Sequence, residues 1–165
     1  MTTTLITGGL GFIGSSICDE LLKKNYSNKC ILVDNFGGYM NPIKEGFIDF
    51  RKQRFKSLKN IVIERCDTSN YKALSSIISK YKPKYIYHTA ALPLAKVSNL
   101  NNDEAKISSV DSTVNIIDAI NLLKNSNKNY KFERFIYFSS SMIYGDFKKS
   151  IVTENSEKNP MISKA

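Results

Sequence analysis

Three glycines and one aspartate carry the most specific chemistry in this sequence. The stretch TGGLGFIG, residues 7–14, spaces Gly8, Gly11 and Gly14 evenly along a turn. A glycine at the first position lets the chain leave a strand sharply. One at the second exposes backbone without a side chain, and one at the third lets a helix pack close. The result is a seat for a pyrophosphate, with the amides of Phe12 and Ile13 and the positive end of a helix dipole directed at it. Glycine-rich turns are common, so context decides. Here the turn follows an apolar, β-branched run and opens a helical pattern, and Asp34 ends a second apolar run about 20 residues further on. A carboxylate there accepts hydrogen bonds from the ribose hydroxyls of a dinucleotide. Its charge repels a 2′-phosphate, which selects NAD over NADP.

Those residues need elements to hold them, and the chain supplies strands and helices in alternation. Apolar runs predict strands at residues 2–7, 30–34, 60–67, 84–91 and 132–141. Ile13, Ile17, Leu21 and Leu22 predict a helix over 12–25. Tyr71, Leu74, Ile77 and Ile78 predict a second, closed by Pro83. Between them, a loop marked by Gly37, Gly38, Pro42 and Gly46 leads into FIDFRKQRFKSL, residues 47–58, which fits a short helix. A long helix is expected over 103–124, with Ile107, Val110, Val114, Ile117 and Leu122 on its inner side. Phe132, Phe135, Tyr137 and Phe138 are expected to form the core packing of the fifth strand. Strands that are apolar along nearly their whole length belong to a parallel sheet covered by helices on both faces. One α/β domain is expected over residues 1–150, with 151–165 a polar, incomplete tail.

Composition removes several alternatives. No apolar run approaches the roughly 20 residues of a membrane helix, and the N-terminus lacks the basic region of a signal peptide. Cys18, Cys30 and Cys66 have no metal-ligand spacing, so neither a disulfide framework nor a metal site is expected, and a reducing, cytoplasmic setting is. The net charge of +9 is mostly lysine. Its densest stretch, RKQRFKSLK at 51–59, reads as the solvated face of a helix, and no nucleic-acid partner is expected. The single histidine, His88, lies in an apolar run, where a structural role is expected. Asp111 and Asp118 read as solvated or capping groups.

The order of motifs resembles the extended short-chain dehydrogenases, in particular the NAD-dependent nucleotide-sugar epimerases and dehydratases. TGGLGFIGS is similar to the family's cofactor turn. VDNF, residues 33–36, resembles its ribose-binding strand end, which implies contacts from Asp34 and Asn35. RCDTSN, residues 65–70, resembles the adenine cap and implies Asp67 and Thr68. PKYIYHTAALP, residues 83–93, is similar to the fourth strand and its exit, which implies that the backbone of Thr89, Ala90 and Ala91 lines the cofactor. RFIYFSSSMIYGD, residues 134–146, resembles the catalytic serine segment and implies that Ser140 orients a sugar hydroxyl. The resemblance covers nearly the whole chain and roughly the first half of a family member. It implies a Rossmann-type doubly wound parallel sheet of at least five strands, without the C-terminal substrate lobe. It also implies NAD as cofactor, a nucleotide-sugar substrate in the intact enzyme, and flanking helices of the kind through which family members form homodimers.

Two departures accompany it. A family asparagine at the start of the long helix is Ser108 here, which predicts weaker binding on the nicotinamide side. The family's Tyr-x-x-x-Lys pair, a tyrosinate acid–base group whose pKa the lysine lowers, is not in its expected place. YGDFK, residues 144–148, has the spelling, but Gly145 and Asp146 favour a turn over the helix that would stack both side chains. NPMISKA, residues 159–165, leaves two readings open. Either Ser163-Lys164 is the family's Ser-Lys and Pro160 replaces the tyrosine, or the match is accidental and the pair lies beyond Ala165. Either way this chain is expected to bind cofactor and to turn over nothing alone. The expected function is the NAD-binding portion of an epimerase or dehydratase acting through a transient keto sugar. The alternative is a non-catalytic dinucleotide-binding sensor or scaffold.

Overall fold

A computed structural model describes residues 1–37, 60–91, 102–146 and 150–160. In chain order these contain β1 (Thr3–Thr7), α1 (Phe12–Lys23), β2 (Lys29–Asp34), β3 (Ile61–Arg65), α2 (Tyr71–Tyr81) and β4 (Tyr85–His88). There follow α3 (Asn102–Ala105), a π-helical segment (Lys106–Asp111), α4 (Ser112–Ser126), β5 (Arg134–Tyr137) and a 3₁₀ turn (Ser141–Tyr144). All strand pairings are parallel, in the order β3-β2-β1-β4-β5. This is the doubly wound sheet expected from the alternating pattern. Successive strands run outward from β1 in one direction and then in the other. Between β1 and β4 lies the switch point, where such sheets open a crevice beyond the carboxyl ends of the strands. Thr7 pairs there with Val33 on one side and His88 on the other.

Side chains alternate across the sheet with the two-residue period of a strand. Leu5, Ile31, Val33 and Ile86 face one layer, packed with Leu74 and Ile78 of α2 and Ile116, Ile120 and Leu123 of α4. Ile6, Cys30 and Leu32 face the other, with Leu10 and Cys18 beneath α1. All three cysteines are buried and unpaired. A hydrogen bond to Cys30 together with burial holds the Cys18 thiol well above its ordinary range. Burial, aided by the charges of Asp67 and Glu64, raises Cys66. Cys18 and Cys66 therefore stay protonated and act as core residues.

Two packing expectations need correction. Ile107, Val110, Val114, Ile117 and Leu122 do not face inward; they are 41–56% exposed. The buried face of α4 consists of Ser112, Ile116, Ala119, Ile120 and Leu123. The long helix is apolar on two faces, and periodicity alone does not choose between them. The small residues Ser112 and Ala119 allow close approach to the layer beneath. The π-helical segment also changes the angular register, so spacing counted across it misplaces a face. Its cause is local. The hydroxyls of Ser108, Ser112 and Thr113 donate to the carbonyls of Glu104, Ser108 and Ser109, each at 2.7 Å. Such back-bonding loosens the helical ladder.

The second correction concerns β5. Phe132 and Phe135 pack on the core, but Tyr137 and Phe138 are 52% and 40% exposed. They lie at the end of the edge strand, where no helix among the described residues covers them. The basic stretch 51–59, the expected helix 47–58 and the breakers Gly38, Pro42 and Gly46 fall outside the described residues.

Candidate functional site

The glycine turn joins β1 to α1 at the switch point. Gly8 adopts φ 63°, and a Cβ there would lie 2.9 Å from the Ala90 nitrogen. The Gly11 N–H closes the turn by donating to the Gly8 carbonyl at 2.9 Å. A Cβ on Gly14 would come within 2.4 Å of that same carbonyl oxygen. Gly14 thus seats α1 against the turn's own backbone. Helix α1 starts at Phe12 with no side-chain cap and no acidic residue in its first turn. Its opening amides, those of Phe12 and Ile13 among them, lie at the positive end of the dipole. Phe12 and Ile13 are both exposed. An uncapped helix start beside a side-chain-free backbone fits a pyrophosphate.

Asp34 lies alongside, only 8% exposed. Its Oδ2 accepts the Leu10 N–H at 3.0 Å and its Oδ1 accepts the Phe36 N–H at 2.9 Å. The carboxylate therefore braces the glycine turn, and each oxygen keeps a lone pair for an outside donor. Asn35 donates from Nδ2 to Asp67 Oδ2 at 2.9 Å, and its Oδ1 accepts the Gly37 N–H at 2.8 Å. The other Asp67 oxygen accepts from the Ser69 amide and hydroxyl. Burial pushes the Asp67 carboxyl up, but the bonds from Asn35 and Ser69 outweigh it and hold it below its ordinary value. Thr68 is buried. Its carbonyl and that of Ser69 both accept from Asn115 Nδ2, at 3.0 and 2.9 Å.

Across the crevice the exit of β4 is pinned to the end of β1. The Thr89 N–H and Oγ1 both donate to the Thr7 carbonyl, and the Ala90 N–H donates to Thr7 Oγ1. Thr89 and Ala90 are half-buried and Ala91 is exposed. His88 is buried, and burial lowers its pKa to about 4, so the ring is neutral and structural, as expected. Ser108 spends its hydroxyl on its own helix. Beyond β5, Ser140 is exposed, and its Oγ accepts the Met142 N–H at 3.2 Å, capping the 3₁₀ turn. That bond uses a lone pair and not the hydroxyl proton. Among the described residues no cluster of metal-ligating side chains occurs.

The sequence profile of the GDP-mannose 4,6 dehydratase family matches residues 5–163. The chain belongs to that family. Among its relatives, a dTDP-D-glucose 4,6-dehydratase of Dictyostelium discoideum is 29% identical over 98% of this chain and 33% of its own length. A UDP-glucose 4-epimerase of Caenorhabditis elegans is 30% identical over 93% of this chain and 42% of its own. The fold matches a UDP-glucose-4-epimerase of Stenotrophomonas maltophila crystallised with bound NAD, with a TM-score of 0.75 at 18% identity, over 98% of this chain and 44% of that one. It also matches a dTDP-glucose 4,6-dehydratase of Bacillus anthracis in complex with NAD, with a TM-score of 0.70 at 20% identity, over 99% and 46%. The chain thus spans less than half the length of these relatives. No second lobe is present among its described residues.

Tyr144 ends the 3₁₀ turn, and Gly145 leaves helical geometry at φ 64°. Lys148, Ser163 and Lys164 lie outside the described residues. Pro160 lies outside any helix. Sequence reasoning missed three residues that shape the crevice: Thr7, Leu10 and Asn115. Thr7 and Leu10 flank the glycines and could have been read with them. Asn115 is 46 and 47 residues from its partners, and nothing in its local sequence marks it.

Proposed function

We propose that this chain is the NAD-binding portion of a nucleotide-sugar epimerase or dehydratase that works through a transient keto sugar. The observation that carries the reading is the convergence of the uncapped α1 N-terminus with the buried Asp34 carboxylate at the switch point. Family membership and relatives named as epimerases and dehydratases support it. When bound, NAD supplies a reversible hydride acceptor. The amides of Phe12 and Ile13, over the open backbone of Gly8, Gly11 and Gly14, hold the pyrophosphate. Asp34 takes the ribose hydroxyls and disfavours a 2′-phosphate. Asn35, Asp67 and Thr68 border the adenine, and the backbone of Thr89, Ala90 and Ala91 lines the far side. Ser140 donates its hydroxyl proton to the substrate sugar oxygen and orients it. We take residues 1–150 as the domain and 151–165 as the tail. The exposed apolar side chains of Ile107, Val110, Val114 and Ile117 suit a homodimer, which sedimentation would test. Three unpaired thiols suit the cytoplasm.

Calorimetric titration of the 165-residue chain tests the binding reading. NAD is expected to bind and NADP to bind at least tenfold more weakly; no NAD binding would overturn it. A second reading, a dinucleotide-binding module without catalysis, draws on Tyr144, which stands at a helix-breaking glycine. A chain extended to the length of the relatives and assayed on UDP-glucose and dTDP-glucose separates the two. Turnover selects the enzyme, and full NAD occupancy without turnover selects the module.

A further inference from the structure

His88 sits at the centre of a hydrogen-bond chain whose direction can be read throughout. Ser112 Oγ donates to the Ser108 carbonyl at 2.7 Å. A carbonyl only accepts, so the hydroxyl proton of Ser112 is committed there. The 3.3 Å contact between Ser112 Oγ and His88 Nε2 must then carry its proton on Nε2. In a neutral ring Nδ1 is left bare. It accepts from Thr7 Oγ1 at 2.6 Å, and Thr7 Oγ1 in turn accepts the Ala90 N–H at 3.3 Å. The chain runs from Ala90 through Thr7, His88 and Ser112 to the Ser108 carbonyl without a conflicting donor or acceptor.

These groups come from separate elements. Ala90 is in the β4 exit, Thr7 ends β1, Ser112 opens α4, and Ser108 lies in the π-helical segment. Three residues beyond Ser112, Asn115 holds the Thr68 and Ser69 carbonyls on the other side of the crevice. The stretch 108–115 is therefore a strut with two anchors, one at the β4 exit and one at the turn after β3. We infer that His88 is a positioning residue. Acting through Thr7 and Ser112, it sets the distance between the two walls of the crevice, and with it the fit of a dinucleotide. It touches no reacting atom. The inference rests on the reading that the chain binds NAD.

The test begins with NAD binding by the wild-type chain. Absence of binding would overturn the functional reading, and the positioning role with it, before any variant is made. Given binding, ¹⁵N NMR of the imidazole is expected to show a protonated Nε2 and a bare Nδ1, with both resonances moving on NAD addition. Thr7→Val removes the donor to Nδ1 and the acceptor for Ala90, and Ser112→Ala removes the acceptor for Nε2. Each is expected to weaken NAD binding about tenfold. Thr7→Ser, which keeps the hydroxyl, should restore affinity to within about twofold of wild type, a rescue that lost packing alone would not give. Should Thr7→Val fail to fold, Ser112→Ala and the wild-type spectrum still decide. A protonated Nδ1, or NAD affinities unchanged in Ser112→Ala, would overturn the inference while leaving the functional reading intact.

Discussion

At the Asp34 end of the crevice, Asp34, Asn35 and Asp67 are each bonded to neighbouring backbone or side chains. Asp34 and Thr68 are 8% exposed. At the Ser140 end, the serine is exposed and caps only its own 3₁₀ turn, and Tyr137 and Phe138 lie open at the sheet edge. The first wall is preorganised, so a ligand pays little to order it. The second has a hydroxyl in place, exposed and held by one backbone N–H among the described residues. Among the described residues, the Asp34 end is thus the more fully braced of the two.

The strongest way to break the comparison is at the braced end. Gly14→Ala would force a methyl group to 2.4 Å from a backbone oxygen. It is expected to destabilise the fold by about 3 kcal/mol or more and to abolish NAD binding. Urea unfolding and calorimetry would measure both, and a variant of wild-type stability would refute the packing argument.

Next in size is an effect of pH through His88. Its pKa is about 4 in the folded chain against an ordinary 6.5. As pH falls the unfolded chain takes the proton first. The contribution of the neutral ring is therefore whole above pH 6.5 and declines towards pH 4, by about 3 kcal/mol in all. Among the described residues the ring contacts Thr7, Ser112, Phe135 and Tyr137, and of these Tyr137 is titratable. Urea midpoints across this window should fall less in His88→Asn than in wild type. Parallel slopes would contradict the assignment.

Asp34→Asn sharpens the contrast. It places an NH₂ group against the N–H of Leu10 or Phe36 and should cost about 1.5–3 kcal/mol. NAD affinity should fall at least tenfold, and the preference for NAD over NADP should shrink. Equal discrimination in the variant would remove Asp34 from the selecting role. The smallest effect belongs to the open end. Ser140→Ala is expected to change stability by no more than about 0.5 kcal/mol, since the side chain is exposed. A larger loss in thermal unfolding would mean that this end is better braced than its exposure implies.

Much of this was legible in the chain alone. The strand–turn–helix around Gly8, Gly11 and Gly14, Asp34 at the end of β2 and the parallel sheet all follow from short-range patterns. The inward face of the long helix did not, because Ile107, Val114 and Ile116 are equally apolar and the π-helical segment hides the register between them. Tyr137 and Phe138 were misassigned for a related reason: an edge strand and a central one can have the same composition.

The sequence by itself determined which residues could bend, cap and alternate, because those properties depend on neighbours a few positions away. Only the tertiary structure decided what His88 and Asn115 do. The partners of His88 lie 81 and 24 residues away, and those of Asn115 lie 47 and 46 away. Their directional bonds exist only once burial in the assembled sheet has removed water as the competing partner.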